Sequence, residues 1–282
     1  MEESIRKADI LIEAIPYIQA FRGKVIVAKY GGSAIDDANA MRAILQDLIF
    51  LSTVGIRAVL VHGGGPAITR QLEASGRSTK FFMGRRVTDR DTVRIVHRAL
   101  SGVNRRLVAE IRALGGHAEG ILPRHRVIVA EPHRLAKQLG YVGSVGQVHS
   151  GPIRMVLSRH AIPVISPVGL NDRQLYNINA DDVAREVAVQ LDAEKLVFLT
   201  NVRGVLRRAG DERSLIATLS KAEARQLIER NVIQAGMMPK VYACMNALSL
   251  GVHKTHIIGA AIPHAMLLEI FTRQGIGTEI VR

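Results

Sequence analysis

Two lysines, one carboxylate and two glycine-rich turns in this chain form a set suited to handling a phosphoryl group. Lys29-Tyr30-Gly31-Gly32-Ser33 lies near the N-terminus, and His62-Gly63-Gly64-Gly65-Pro66 follows it. Tyr176-Asn177-Ile178-Asn179-Ala180-Asp181 comes late, and Gly236-Met237-Met238-Pro239-Lys240 later still. Glycine after a strand lets backbone N–H groups approach an anion with no side chain in the way. A helix that follows adds the positive end of its dipole. Phosphoryl transfer asks a protein for in-line positioning and for cations that stabilise spread negative charge, with little covalent work.

Taken singly, each residue has a plainer reading. Lys29 ends an apolar run and could pack its stem while its head reaches solvent. Placed before two glycines, it is expected to point at whatever those glycines bind. Lys240 opens a helical pattern, where a cation is disfavoured unless an anion is present. Asp181 stands where acids commonly cap helices. Arg86, in Gly84-Arg85-Arg86-Val87-Thr88-Asp89, could clamp a carboxylate with two parallel bonds or simply face water. Neither glycine turn is a Walker A motif or a dinucleotide fingerprint, since the required lysine and third glycine are absent from their offsets.

The elements that must position these residues alternate between strand and helix. Val25 to Lys29, Ala58 to Val61 and Lys195 to Thr200 are continuous apolar runs ending in glycine-bearing turns. Such runs suit a parallel sheet covered on both faces, whose ligands bind at the C-terminal ends of the strands. Val127 to Val129 and Pro163 to Ile165 are candidates for further strands. The run Ile162 to Val168 reads as strand-like, followed by a polar turn over Gly169 to Gln174. Helical spacing of apolar residues marks Ala40 to Ser52, Asp91 to Leu114 and Asp182 to Leu191. Gly120 to His125 and Gly140 to Pro152 read as mid-chain loops, which suggests two lobes with a cleft between them. Ile5 to Phe21 carries a separate apolar stripe that Pro16 is expected to bend or break. Such an extra helix packs either within the chain or across an oligomer interface.

The 282 residues suffice for a large core. The formal charge of +13 suits anionic ligands, but the basic residues are spread along the chain and aromatics make up only 4%, so nucleic acid ranks last among partners. No run of eighteen apolar residues implies a membrane span. The start, Met1-Glu2-Glu3-Ser4-Ile5-Arg6, does not read as a signal peptide. The single cysteine, Cys244, cannot form an internal disulfide. A cytoplasmic protein is the expectation.

As an ordered set, the five motifs resemble the amino acid kinase family in its N-acetylglutamate kinase branch. Ile262 to Thr272 and Gly275-Ile276-Gly277-Thr278 extend the resemblance to essentially the whole chain. It implies an α/β fold, a three-layer αβα sandwich around a mainly parallel sheet. Residues 1–22 would form an N-terminal oligomerisation helix, 23–168 a lobe for the acyl amino acid, and 169–282 a lobe for ATP. The implied reaction transfers phosphate from ATP, with Mg²⁺, to the side-chain carboxylate of N-acetyl-L-glutamate in arginine biosynthesis. Residue by residue, Gly64, Gly65, Arg86 and Asn177 would bind that substrate. Lys29, Gly31, Gly32, Asn201 and Lys240 would bind the nucleotide. Lys29, Lys240 and Asp181 would form the catalytic set, with Asp181 holding both lysines, and no protein-bound metal is implied.

The N-terminal helix resembles that of arginine-inhibited, ring-shaped hexamers built as trimers of dimers. The same resemblance implies L-arginine as an inhibitor, with Tyr17, His256, Glu269 and Gly275 as the positions to examine. A PII signal protein is a further implied partner. The chain departs from the family pattern at Asn201, usually Asp, at Ser33, usually Asn, and at Ala235, usually Gly. Gly259-Ala260-Ala261 replaces Asp-Gly-Arg, and Ile121 to His125 lacks the usual Ser-Gly-Lys-Asp loop. Two alternatives stay open: a sister kinase acting on carrier-linked aminoadipate or glutamate, and a non-catalytic arginine-sensing homologue.

Overall fold

A computed structural model describes residues 1–234, 236–272 and 275–282; the departure at Ala235 lies outside the described residues. An eight-stranded sheet runs through the molecule. Its order is Thr218–Ser220, Thr278–Val281, Lys254–Gly259, Lys195–Thr200, Val25–Tyr30, Arg57–His62, Ile162–Ile165 and Ala118–Ile121. Every neighbouring pair is parallel except Lys254–Gly259 with Thr278–Val281. The central strands Val25–Tyr30 and Lys195–Thr200 are buried along their whole length, as continuous apolar runs require.

Alternate residues of the first strand feed two separate cores, because successive side chains point to opposite faces. Val25 and Val27 pack with the helices Ala180–Gln190 and Met238–Ser249. Ile26, Ala28 and Tyr30 pack with Ala38–Thr53 and the second half of Arg90–Ala113. The result is helix, sheet, helix, the three-layer sandwich expected. Lys29 shares the parity of Val25 and Val27. It therefore faces the two helices whose first turns carry Asp181 and Lys240.

Register sets the glycine turns side by side. Lys29 lies between Phe198 and Val61, and Tyr30 lies opposite His62. Both strands therefore end level, at the C-terminal edge of the sheet.

Four further strands, Ile128–Pro132, Val142–Val148, Val168–Asn171 and Gln174–Ile178, close on each other as a small barrel. This corrects several expectations. The strand expected over Val127 to Val129 is Ile128–Pro132 and belongs to the barrel rather than the main sheet. The expected turn from Gly169 is a strand as far as Asn171, antiparallel to Gln174–Ile178. The expected loop from Gly140 to Pro152 is largely the strand Val142–Val148. Its glycines answer to crowding, since a Cβ at Gly143 would lie 2.8 Å from Tyr176 Cβ and one at Gly146 2.8 Å from Glu131 Cγ. Gly120 and Ile121 belong to a strand of the main sheet, and Pro123–His125 is a short 3₁₀ turn.

The N-terminal helix is a single element, Glu2–Phe21, that runs through Pro16 instead of breaking there. Proline removes one ladder bond. Here it sits on an exposed surface where water can satisfy the freed carbonyl, and the ladder continues to Arg22 N–H, which donates to Ile18 O at 2.9 Å. Ile10, Leu11 and Ile12 on this helix are 58%, 66% and 64% exposed. No helix among the described residues is long and apolar enough to cross a membrane.

Candidate active site

Asp181 is the centre of an ion triad. Lys29 Nζ lies 2.9 Å from its Oδ1, an ion pair without hydrogen-bond geometry. Lys240 Nζ donates to its Oδ2 at 3.0 Å. Asp181 is 4% exposed and Lys29 7%. Burial alone would push the Asp181 carboxyl up; the two ammonium groups outweigh it and hold the carboxyl below its ordinary value. The capping reading of Asp181 is corrected by the same geometry. Asn179 is the N-cap, its Oδ1 accepting from the Asp181 N–H at 2.8 Å. That leaves the Asp181 carboxylate, one position inside the helix, for the lysines.

The glycine turns pack against each other beside this triad. Gly63 N–H donates to Tyr30 O at 2.7 Å. A Cβ on Gly31 would stand 2.8 Å from Lys29 Nζ and 3.2 Å from Gly63 Cα. Gly32 takes a φ of +78°, open to glycine without strain, and a Cβ there would meet Asn201 Oδ1 at 3.4 Å. Lys29, Gly31, Gly32, Asn201, Gly236 and Lys240 line one cavity of about 330 Å³. All five residues expected on the nucleotide side are therefore brought together.

Three of the four residues expected on the acyl side, Gly65, Arg86 and Asn177, are joined by hydrogen bonds, and Gly64 lies beside Gly65. Arg86 donates to Thr69 Oγ1 at 2.9 Å, Thr79 Oγ1 at 2.8 Å and Gly65 O at 3.2 Å, and its guanidinium lies 5.0 Å from the Phe81 ring centroid. Asn177 Nδ2 donates to Thr88 Oγ1 at 3.2 Å, and Thr88 Oγ1 donates to Arg86 O at 2.8 Å. Arg86 is buried, which draws its pKa down, and it pairs with no carboxylate among the described residues. A buried guanidinium held only by neutral oxygens can take an anion. Gly65 has open space where a Cβ would be, whereas one on Gly64 would come 2.6 Å from Leu100 Cδ2. Thr88, the link between Arg86 and Asn177, was not singled out from sequence. Only its place in the Arg86-Val87-Thr88 run hinted at it.

Away from this site, Tyr17, His256, Glu269 and Gly275 line a second cavity of about 220 Å³. Glu269 Oε1 accepts from His256 Nδ1 at 2.6 Å and Oε2 from Ile276 N–H at 2.7 Å. Burial lowers the His256 pKa, so its ring is neutral and its Nε2 accepts from Lys195 Nζ at 3.2 Å. Lys195 also lines the cavity and was missed, because a lysine at the start of an apolar strand reads as ordinary.

Residues 24–259 match the family model described as "Amino acid kinase family". The chain belongs to that family. It is 44% identical to the acetylglutamate kinase of Moorella thermoacetica over 98% of both chains. It is 45% identical to the acetylglutamate kinase of Chlorobium chlorochromatii, covering 96% of this chain and 95% of that one. Among solved structures, the N-acetylglutamate synthase from Neisseria gonorrhoeae, complexed with coenzyme A and N-acetyl-glutamate, superposes with a TM-score of 0.86 at 29% identity. That match takes in 98% of this chain but 63% of the longer synthase. The family match bears out the fold class read from sequence.

Proposed function

We propose that this chain is an ATP-dependent kinase that phosphorylates the side-chain carboxylate of N-acetyl-L-glutamate, giving N-acetylglutamyl 5-phosphate, the second step of arginine biosynthesis. Full-length relatives named acetylglutamate kinase support the reaction. The observation that carries the chemistry is the Lys29–Asp181–Lys240 triad beside two touching glycine turns.

The attacking carboxylate is already ionised, so no general base is needed. The obstacle is repulsion between two anions and the charge spread over the transferring group. Lys29 and Lys240 offset that charge from one side, and glycine amides from the other. Asp181 keeps both ammonium groups in place before substrate arrives, so their alignment costs little at the moment of reaction. Arg86 takes a carboxylate of the acyl substrate and Asn177 donates to its polar groups. The cavity between Gly31, Gly32 and Asn201 suits a polyphosphate, since its rim offers the ammonium groups of Lys29 and Lys240 and glycine backbone without side chains. Mg²⁺ entering with ATP would shield the phosphates, with phosphates and water as its expected ligands.

The division into an acyl lobe, 23–168, and a nucleotide lobe, 169–282, stays a proposal; Asn177, Lys29 and the barrel strands Val168–Asn171 and Gln174–Ile178 sit across that boundary from the side they serve. Two regulatory features belong to the same proposal. The exposed apolar face of Glu2–Phe21 suits contact between copies, as in a hexameric trimer of dimers. The second cavity suits L-arginine, with Glu269 as the carboxylate facing a guanidinium. A cytoplasmic enzyme fits these substrates, and a PII partner remains the resemblance's suggestion alone.

The deciding experiment incubates purified protein with ATP, Mg²⁺, N-acetylglutamate and hydroxylamine. Hydroxamate should accumulate. Absence of product, with turnover of a carrier-linked acid instead, would favour the sister kinase. Arginine binding with no turnover of any substrate would favour a sensor.

A further inference from the structure

We infer that His62, held by Asn104, is a positioning residue that aims the Gly64 N–H at the group being transferred; this rests on the kinase reading above. His62 ends the strand Arg57–His62 and is fully buried. Its Nδ1 lies 2.8 Å from Gly63 O, and a carbonyl only accepts, so Nδ1 carries the proton. Its Nε2 lies 3.2 Å from Asn104 Nδ2, a donor nitrogen that also gives to Val164 O at 2.8 Å. Nε2 is therefore a lone pair. One species satisfies both contacts, the neutral ring protonated on Nδ1. Burial acts in the same direction, pushing the imidazole pKa down to about 4.

The consequence lies in the peptide between Gly63 and Gly64. It is trans, so its N–H points opposite to its carbonyl. With the carbonyl turned to the buried ring, the Gly64 N–H points the opposite way, and we place its target at the sheet edge, where the neighbouring Gly63 packs on Gly31 beside Lys29. It has no backbone acceptor among the described residues. Gly63 is fixed on its other side by its own N–H to Tyr30 O at 2.7 Å, so the donor is held in register with the first glycine turn. Asn104 is held in its turn by its bond to Val164 O, and it sits close over Gly120, where a Cβ would stand 2.2 Å from its Oδ1. A chain of polar contacts thus runs from the strand Ile162–Ile165 through Asn104 and His62 to the Gly63–Gly64 peptide. Burying an imidazole and an amide is costly compared with an apolar pair, which argues for a task beyond filling space.

Two substitutions separate positioning from packing. His62→Asn puts an amide nitrogen near the Nδ1 position and keeps the bond to Gly63 O. His62→Gln reaches toward Asn104 and loses that bond. We expect His62→Asn to keep kcat within about 3-fold of wild type and His62→Gln to lose about 30-fold or more, with KM for ATP little changed. Melting temperatures should fall alike for both. Wild-type kcat in His62→Gln, or equal kcat losses that track stability, would overturn the idea. Long-range proton–nitrogen spectra of the wild-type protein labelled with ¹⁵N-histidine give a test that needs no variant and no substrate. A neutral His62 protonated on Nδ1 at pH 7 is expected, and protonation on Nε2 or on both nitrogens would refute it. Wild-type protein that makes no hydroxamate would count against the kinase reading while leaving the tautomer result to stand or fall by itself.

Discussion

Lys29 Nζ and Asp181 Oδ1 lie 2.9 Å apart, one on the first strand and the other in the first turn of a helix much later in the chain. The pair is buried, so its contribution to stability depends on both charges being present. Asp181 has a carboxyl held below the ordinary 3.8 by its lysines, against the opposing pull of burial. A depressed carboxylate contributes stability above its unfolded pKa, and loses it as pH falls through the lower folded value. Asp181→Asn should therefore cost about 3 kcal/mol near neutrality, leaving the buried Lys29 and the partly buried Lys240 uncompensated. The gap to wild type should narrow only below the ordinary 3.8. Thermal melts across an acid series would check this, and a pH-independent gap would refute it.

The two lysines should behave alike in kinetics. Each is placed to act on charge that develops during transfer, so Lys29→Ala and Lys240→Ala should lower kcat by about 100-fold or more while changing KM far less. Steady-state rates at saturating ATP and N-acetylglutamate measure this split. A rise in KM with unchanged kcat would reduce either lysine to a binding group.

Gly31→Ala tests the crowding beside Lys29. Its new Cβ would stand 2.8 Å from Lys29 Nζ, the far end of a flexible side chain, and 3.2 Å from Gly63 Cα. The ammonium can shift, so the fold should survive with a modest drop in melting temperature. The shift takes the cation out of line, and kcat should fall by about 10-fold or more. Full activity in the alanine variant would mean that the ammonium has room the geometry does not show.

Arg86 donates to three neutral oxygens and pairs with no carboxylate among the described residues. Arg86→Lys keeps the charge but loses the planar fork. KM for the acyl substrate should rise about 10-fold or more, with KM for ATP nearly unchanged. Equal effects on both would place Arg86 outside the acyl side.

Much of this site was legible in the sequence because its parts lie on elements with strong patterns. Lys29 and the glycine turns follow unbroken apolar runs, and a parallel sheet sets such turns level. What was illegible depended on contacts between segments. The Val142–Val148 strand read as a loop because Gly143 and Gly146 look like turn residues until Tyr176 and Glu131 are seen against them. Lys195 carried no local signal and Thr88 only its place beside Arg86, since each gains its role from a partner on another element. Asp181 read as a cap because the competing cap, Asn179, stands two residues away and no spacing rule decides between them.

The N-terminal helix gives the last test. Its Ile10, Leu11 and Ile12 are mostly exposed, while Phe21 at its end packs on the second core and lies under Lys195 Nζ at 5.2 Å. One end is thus anchored, while apolar side chains along the rest lie largely open among the described residues and suit the proposed contact between copies. Replacing Ile10, Leu11 and Ile12 together with Gln leaves the anchored end and the active site untouched. The native mass by light scattering should fall, to a dimer if the helix links dimers into a ring, and kcat without arginine should stay within about 2-fold because no replaced residue reaches the site. The arginine inhibition proposed above should weaken as well, since Tyr17 on the same helix lines the second cavity. An unchanged native mass would show that the stripe does not join copies of this chain.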